Sequence, residues 1–131
     1  MTTPFWCLFA AAVMPYVWFT FAATSRAKQL GASLDTHTPR LQDPELRGRA
    51  ARAQGAHNNS LEALTYFGPA VIVAHLAGAN PIWAARLAIA FIVLRVLHGG
   101  CYIGDVPPAR TLFFALGLLT SIALFVLAAL A

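Results

Sequence analysis

Long apolar stretches dominate this chain and restrict what it can fold into. Four of them lie at about residues 5–24, 61–79, 82–104 and 110–131, and each approaches the ~20 residues that a helix needs to cross a bilayer. Charged residues make up only 11% of the chain, against about a quarter in a soluble domain. Sustained alternation of polar and apolar residues, which is typical of a membrane barrel, is absent. We therefore predict an all-α integral membrane protein, folded as a single four-transmembrane-helix bundle.

The helix boundaries follow from the local sequence. Asp43-Pro44-Glu45 is typical of a helix start, with Asp as the cap and Pro in the first turn, so the second helix is expected to begin before its apolar part. No proline then interrupts the chain until Pro69. The predicted helices span about residues 5–24, 44–78, 82–104 and 109–131, with a cytoplasmic loop over residues 25–43.

Basic residues are concentrated in the first long connection. The set is Arg26, Lys28, Arg40, Arg47, Arg49 and Arg52. By the positive-inside rule this connection is cytoplasmic, which places both termini outside. A cleaved signal peptide is the alternative for the first helix, but Met1-Thr2-Thr3-Pro4 lacks a basic region and the apolar run is longer than usual. The net charge of +4 is better explained by anionic lipid head groups than by a nucleic acid, and no nucleic-acid partner is predicted.

A polar stripe interrupts the second helix. At about 100° per residue, Arg52, Asn59, Glu62 and Tyr66 fall within an arc of about 80°. A carboxylate facing lipid at mid-bilayer costs about 2.5 to 3.5 kcal/mol, so Glu62 is expected to face protein and to find a donor. The alternative is that Glu62 forms an ion pair with an arginine that only holds the helices together and binds no ligand.

The third helix offers partners for this stripe. Arg95, His98 and Tyr102 are spaced by three and four residues and therefore share one face. Arg95 lies roughly 13 Å inside the inner end of the helix, which is deep for an unpaired arginine. We expect it to bind an inward-facing partner such as Glu62 or Asn59.

These residues resemble a known family. The run Ala56-His57-Asn58-Asn59-Ser60-Leu61-Glu62 and the run Arg95-Val96-Leu97-His98 with Tyr102 are similar to motifs of the membrane-associated proteins in eicosanoid and glutathione metabolism. The resemblance implies a homotrimer, a divergent member of bacterial type in the inner membrane. It also implies that glutathione, as co-substrate, lies between subunits on the cytoplasmic side, and that a lipophilic small-molecule substrate arrives from the membrane lipid.

The resemblance also implies roles for single residues. Asn59 would contact the peptide of glutathione, and Glu62 would take its amino group or orient an arginine. Arg110 is the expected catalytic residue, because a guanidinium stabilises a nearby thiolate. The other expected binding residues are Arg52, His57, Asn59, Glu62, Arg95 and Tyr102. The alternative for the arginines is an intersubunit salt bridge or a lipid-phosphate contact.

Two departures from the family motif favour a second function class. Gly55 stands where the motif has arginine, and Ser60 stands where it has aspartate. The sequence therefore leaves two hypotheses open. The first is a glutathione-dependent transferase or peroxidase acting on lipophilic electrophiles or lipid hydroperoxides. The second is a non-catalytic member that binds lipid or serves as an accessory subunit of a larger membrane complex. No metal site is predicted, because the histidines form no metal-binding spacing.

Overall fold

The protein is a bundle of α-helices without strands. The computed structural model describes all 131 residues. Its four α-helices, numbered α1 to α4, span Thr3–Leu30, Gly48–Leu76, Pro81–Ile103 and Pro107–Ala129. Two short 3-10 segments, Gly31–Ser33 and Pro39–Glu45, lie in the connection between α1 and α2. The end of the bundle with this connection and the α3–α4 turn is called the loop end below.

Helix α2 contacts all three other helices, while α1 packs mainly against α2 and α3 mainly against α4. In the core, the rings of Phe67 on α2 and Phe91 on α3 stack with their centroids 3.8 Å apart. Alanines fill many of the other helix contacts, and Ala53, Ala70 and Ala88 have no exposed surface. Small residues at these positions let helix backbones approach closely, which is how helices associate where lipid replaces water.

Three helices, α1, α3 and α4, are long and apolar enough to cross a membrane. Helix α2, with 29 residues, is long enough but carries the polar stripe and is not among them. The finding supports a multi-pass membrane protein with three such helices, whereas the sequence predicts four crossings.

The connection between α1 and α2 folds against the end of α1. Arg26 forms an ion pair with Asp43 and also donates to the carbonyl of Pro39. Gln29 donates to the Glu45 carbonyl at 3.0 Å. Helix α1 therefore continues to Leu30, well beyond the predicted end at residue 24, because its last turns bind this connection.

Helix α2 begins at Gly48, later than the residue 44 that the sequence predicts. Asp43-Pro44-Glu45 instead ends a 3-10 segment. The carboxylate of Asp43 binds Arg26 rather than capping helix amides, and Gly48 has a φ of 53°. A glycine with positive φ lets the chain change direction at the first residue of the new helix.

The two short turns have clear local causes. Before α3, the Asn80 Oδ1 accepts hydrogen bonds from the amides of Ile82 and Trp83, at 3.1 and 3.2 Å. Pro81 then occupies the first helical position, where its missing N–H is not needed. Between α3 and α4, Asp105 adopts a φ of 61°, a conformation that aspartate tolerates better than most residues.

Candidate polar site at the loop end

Arg52 connects the loop end of α2 to the α3–α4 turn. Its Nη1 lies 3.1 Å from the Asp105 Oδ2, and its Nε donates to the Ile103 carbonyl at 3.4 Å. The half-buried guanidinium is therefore held at the mouth of the space between α2, α3 and α4. Because Asp105 is largely exposed, this ion pair contributes little to stability, about 0 to 1 kcal/mol.

Arg95 lies deeper and is almost fully buried, with 2% of its surface exposed. Its Nη2 donates to the Asn59 Oδ1 at 2.5 Å and to the Asn59 carbonyl at 3.2 Å. The Asn59 amide in turn donates to the Glu62 Oε2 at 3.1 Å. Arg95 and Glu62 are thus linked through Asn59 and form no direct ion pair.

Several buried polar atoms at this level have no hydrogen-bond partner. They are the Nε and Nη1 of Arg95 and both ring nitrogens of His98, which is also 2% exposed. The Tyr66 hydroxyl is buried without a partner as well. Unpaired buried polar groups are rare and costly in native proteins, so a cluster of them demands a ligand or an ordered water as an explanation.

Tyr102 and Arg110 form the loop-end wall of the same site. The Arg110 guanidinium carbon lies 4.5 Å from the centroid of the Tyr102 ring, a cation–π contact. The His98 ring meets Tyr102 edge-on with the centroids 5.6 Å apart. A cleft of about 180 Å³ opens here. Its lining consists of Asn59, His98, Tyr102, Arg110, Thr111 and Phe114.

Most of the predicted site residues come together in this way. Asn59, Tyr102 and Arg110 line the cleft, Arg95 binds Asn59 behind it, and Arg52 lies at its loop end. Glu62 is attached through Asn59, but its side chain is exposed at the surface of the single protomer.

His57 lies on the other side of α2. Its Nδ1 donates to the Pro15 carbonyl of α1 at 2.9 Å, and its ring is 5.5 Å from that of Phe19. It borders a separate cavity of about 340 Å³ between α1, α2 and the connection. In one protomer the structure therefore does not bring His57 together with Asn59 and Arg95.

Three residues of the cleft, His98, Thr111 and Phe114, are missing from the predicted set. His98 is one turn from Arg95 and one turn from Tyr102, so the three-and-four spacing on α3 already placed it on the site face. Thr111 follows Arg110 directly, and neighbouring helix residues diverge by about 100°, so no spacing signal pointed to it. Phe114 lies one turn after Arg110 on α4, but an apolar residue in an apolar helix carries no signal of a polar site.

These features agree with the comparison of the whole chain with known proteins. The model of the MAPEG family matches residues 3–130. A comparison with curated protein sequences gave no match. The match covers all four helices and every residue of the polar site, and the apolar helices agree with a multi-pass integral membrane protein. The chain therefore belongs to the MAPEG family, a membrane-protein family of glutathione and eicosanoid metabolism.

Proposed function

We propose that the protein is a membrane-embedded, glutathione-dependent transferase or peroxidase acting on lipophilic electrophiles or lipid hydroperoxides. The observation that carries the proposal is the set of unpaired polar atoms on buried Arg95 and His98 beside a cleft that also contains Arg110. Family membership supplies the class of co-substrate. Glutathione carries carboxylates, an ammonium group and a thiol, and the site offers a group suited to each.

The binding roles follow from charge and reach. Arg95, with its unused Nε and Nη1, and Arg52 at the mouth are suited to the carboxylates of glutathione. The Glu62 carboxylate, held by the Asn59 amide, is suited to the ammonium group. The Tyr102 ring supplies an apolar surface between these charged groups.

The chemical role belongs to Arg110. A free cysteine thiol has a pKa of about 8.5, and a guanidinium nearby favours the thiolate, which is the nucleophile. In the transferase reaction the sulfur bonds to an electrophilic carbon, the leaving group departs with the bonding electrons, and the thiol proton goes to water. In the peroxidase reaction two glutathiones are oxidised to the disulfide while the O–O bond breaks, giving an alcohol and water.

The proposal includes a homotrimer with the site between subunits. The cleft of one protomer, about 180 Å³, is smaller than the roughly 300 to 1,000 Å³ of typical small-molecule sites. The Glu62 side chain is exposed on α2, where an unpaired carboxylate facing lipid would be costly. A neighbouring protomer against this face of α2 would enlarge the cleft and shield the carboxylate. Helix α2 would then be the fourth membrane-crossing helix.

The proposed orientation places the loop end in the cytoplasm of a bacterial cell, with both termini outside. The arginine-rich connection lies at this end, and anionic lipid head groups attract basic segments there. Glutathione would then enter from the cytoplasm while the lipophilic substrate enters from the bilayer.

A second candidate function is lipid binding without catalysis, alone or as an accessory subunit of a larger complex. A cavity of about 480 Å³ at the opposite end of the bundle favours it. Its lining includes Val71, Ala74, Ala84 and Leu124, which suit an acyl chain. We rank this candidate second, because it leaves the unpaired polar atoms of Arg95 and His98 unexplained.

Isothermal titration of glutathione into the detergent-purified protein tests the proposal. We expect saturable binding, weakened about tenfold or more in Arg110→Ala and in Glu62→Gln, because each removes a charge from the site. Arg86→Ala is the matched control, since Arg86 lies toward the opposite end of α3, where its guanidinium carbon is 5.0 Å from the centroid of the Trp83 ring. The proposal is wrong if millimolar glutathione gives no binding, or if Arg86→Ala weakens binding as much as Arg110→Ala. In the first case, lipid retained in the purified protein would favour the second candidate.

A further inference from the structure

A glycine interrupts the polar stripe of α2 where the stripe passes Tyr102. Gly55 lies three residues after Arg52 and four before Asn59, so it shares their face of the helix. A Cβ atom at position 55 would lie 2.6 Å from the Tyr102 Oη, 2.7 Å from its Cζ and 2.8 Å from its Cε1. The phenol ring therefore occupies the space that any side chain at position 55 would need.

Backbone conformation does not explain the glycine. Gly55 is in the middle of a regular helix, and the glycines with positive φ are Gly31, Gly48 and Gly78. Within a helix, glycine is less favourable than alanine, so its presence needs another reason. The close approach of Tyr102 to the helix explains why a glycine stands at position 55.

Tyr102 transmits this contact to the rest of the site. Its ring lies between α2, where it touches Gly55, and α4, where the Arg110 guanidinium is 4.5 Å from the ring centroid. Moving the ring away from α2 would therefore displace the surface on which Arg110 rests. Arg110 and Tyr102 both line the cleft, so the displacement would change the cleft itself.

We propose that Gly55 is a positioning residue, whose missing side chain seats Tyr102 against α2 and thereby holds Arg110 at the thiol of glutathione. The inference rests on the proposed function for the role of Arg110. It also explains the departure from the arginine motif, because an arginine at position 55 and Tyr102 in its present place exclude each other. The same space is filled by a side chain from α3 instead of one from α2.

The matched substitutions are Gly55→Ala and Gly100→Ala. Gly100 is also helical and near the loop end, but a Cβ there would meet no atom within 4 Å. With glutathione and a chromogenic nitroaromatic halide, we expect Gly55→Ala to lower kcat/KM at neutral pH by roughly 10- to 100-fold, since small misplacements of catalytic groups have effects of this size. The pKa of the bound thiol, read from thiolate absorbance, should rise toward its free value. Gly100→Ala should stay within about twofold of wild type.

A double-mutant cycle of Gly55→Ala and Tyr102→Ala separates the specific contact between these two positions from a general packing effect. In a Tyr102→Ala background the collision is gone, so adding Gly55→Ala should change kcat/KM by no more than about twofold. The proposal is overturned if Gly55→Ala leaves the thiol pKa unchanged, or if it is equally harmful with and without Tyr102.

The same four proteins, studied by thermal unfolding, test the seating without glutathione. We expect Gly55→Ala to lower the midpoint in the presence of Tyr102 and to raise it in the Tyr102→Ala background, where only the gain in helix propensity remains. If the wild-type protein binds no glutathione, the proposed function is wrong, and so is the role of Arg110 at the thiol. The thermal unfolding cycle would still test whether Gly55 positions Tyr102. Equal effects in both backgrounds would refute the seating even in an active enzyme.

Discussion

Removal of the Asn59 side chain should expose how the buried charge of Arg95 is compensated. In Asn59→Leu the 2.5 Å hydrogen bond from Arg95 Nη2 is lost, and only the Asn59 carbonyl at 3.2 Å remains. A hydrogen bond to a charged group contributes about 1.5 to 3 kcal/mol. Arg95 is 2% exposed, so bulk water does not replace the lost acceptor. We expect the free energy of unfolding to fall by about 2 to 3 kcal/mol.

Arg95→Met should be less harmful, even though it deletes more polar contacts. It removes the buried charge together with its desolvation penalty, and apolar replacements of buried charges are often neutral or stabilising. We expect a loss of about 1 kcal/mol or less. Adding Asn59→Leu to Arg95→Met should then change the free energy of unfolding little further, because no buried charge is left without an acceptor.

Reversible unfolding in mixed micelles with increasing SDS, followed by circular dichroism, measures these differences. Asn58→Leu is the matched control, since Asn58 is the neighbouring amide and accepts only an exposed hydrogen bond from Gln54. Its effect should stay within about 0.5 kcal/mol. The reasoning is refuted if Asn59→Leu is no more destabilising than Asn58→Leu, or if Arg95→Met is the most harmful of the three.

Two further predictions concern packing and pH. In Gly99→Ala the new Cβ would lie 2.3 Å from the Trp18 ring, so we expect the free energy of unfolding in SDS to fall by about 1 to 3 kcal/mol. The adjacent Gly100→Ala, whose Cβ would meet no atom within 4 Å, should be neutral or stabilising. Hydrogen bonds from the Thr38 hydroxyl and nearby amides hold the pKa of Asp35 below its usual 3.8. Because the carboxylate has a lower pKa in the folded connection than in the unfolded chain, its ionised form stabilises the folded connection at a pH above the unfolded-state pKa. This stabilisation is lost as the pH falls through the folded-state pKa. Proteolysis of the connection should therefore accelerate below about pH 4 in wild type, and Asp35→Asn should show a flatter pH profile; equal profiles would contradict the assignment.

Helical periodicity made much of the site predictable. Asn59 and Glu62 on α2, and Arg95, His98 and Tyr102 on α3, each share a face because their spacings match the turn of a helix. The burial of Arg95 required a partner, and the structure identifies Asn59 rather than Glu62. The choice depends on the axial offset between α2 and α3, which a single sequence does not contain.

Within one protomer, His57 is separated from the other predicted site residues. It precedes Asn59 by two residues, so the two side chains diverge by about 200° around α2. The family motif nevertheless groups them, whereas in the protomer His57 binds the Pro15 carbonyl of α1. Spacing alone would have separated them.

The start of α2 was unpredictable for a different reason. Asp43-Pro44-Glu45 is a sound local signal for a helix start, but Asp43 binds Arg26, which is distant in the sequence. Tertiary contacts of this kind override local propensity. The role of Gly55 also escaped prediction, because only the fold reveals that Tyr102 occupies the space beside it.

The turn between α3 and α4 fixes how α4 is rotated about its axis relative to α3, and therefore where Arg110 lies relative to Tyr102. Only the residues Gly104 to Val106 separate the two helices, Asp105 among them has an unusual φ, and Pro107 fixes the first residue of α4. Tyr102 and Arg110 lie on either side of this turn. Since each added residue rotates a helix by about 100°, inserting or deleting one here would turn Arg110 away from the ring it covers. We therefore expect the site to depend on the number of residues in this turn more than on their identity.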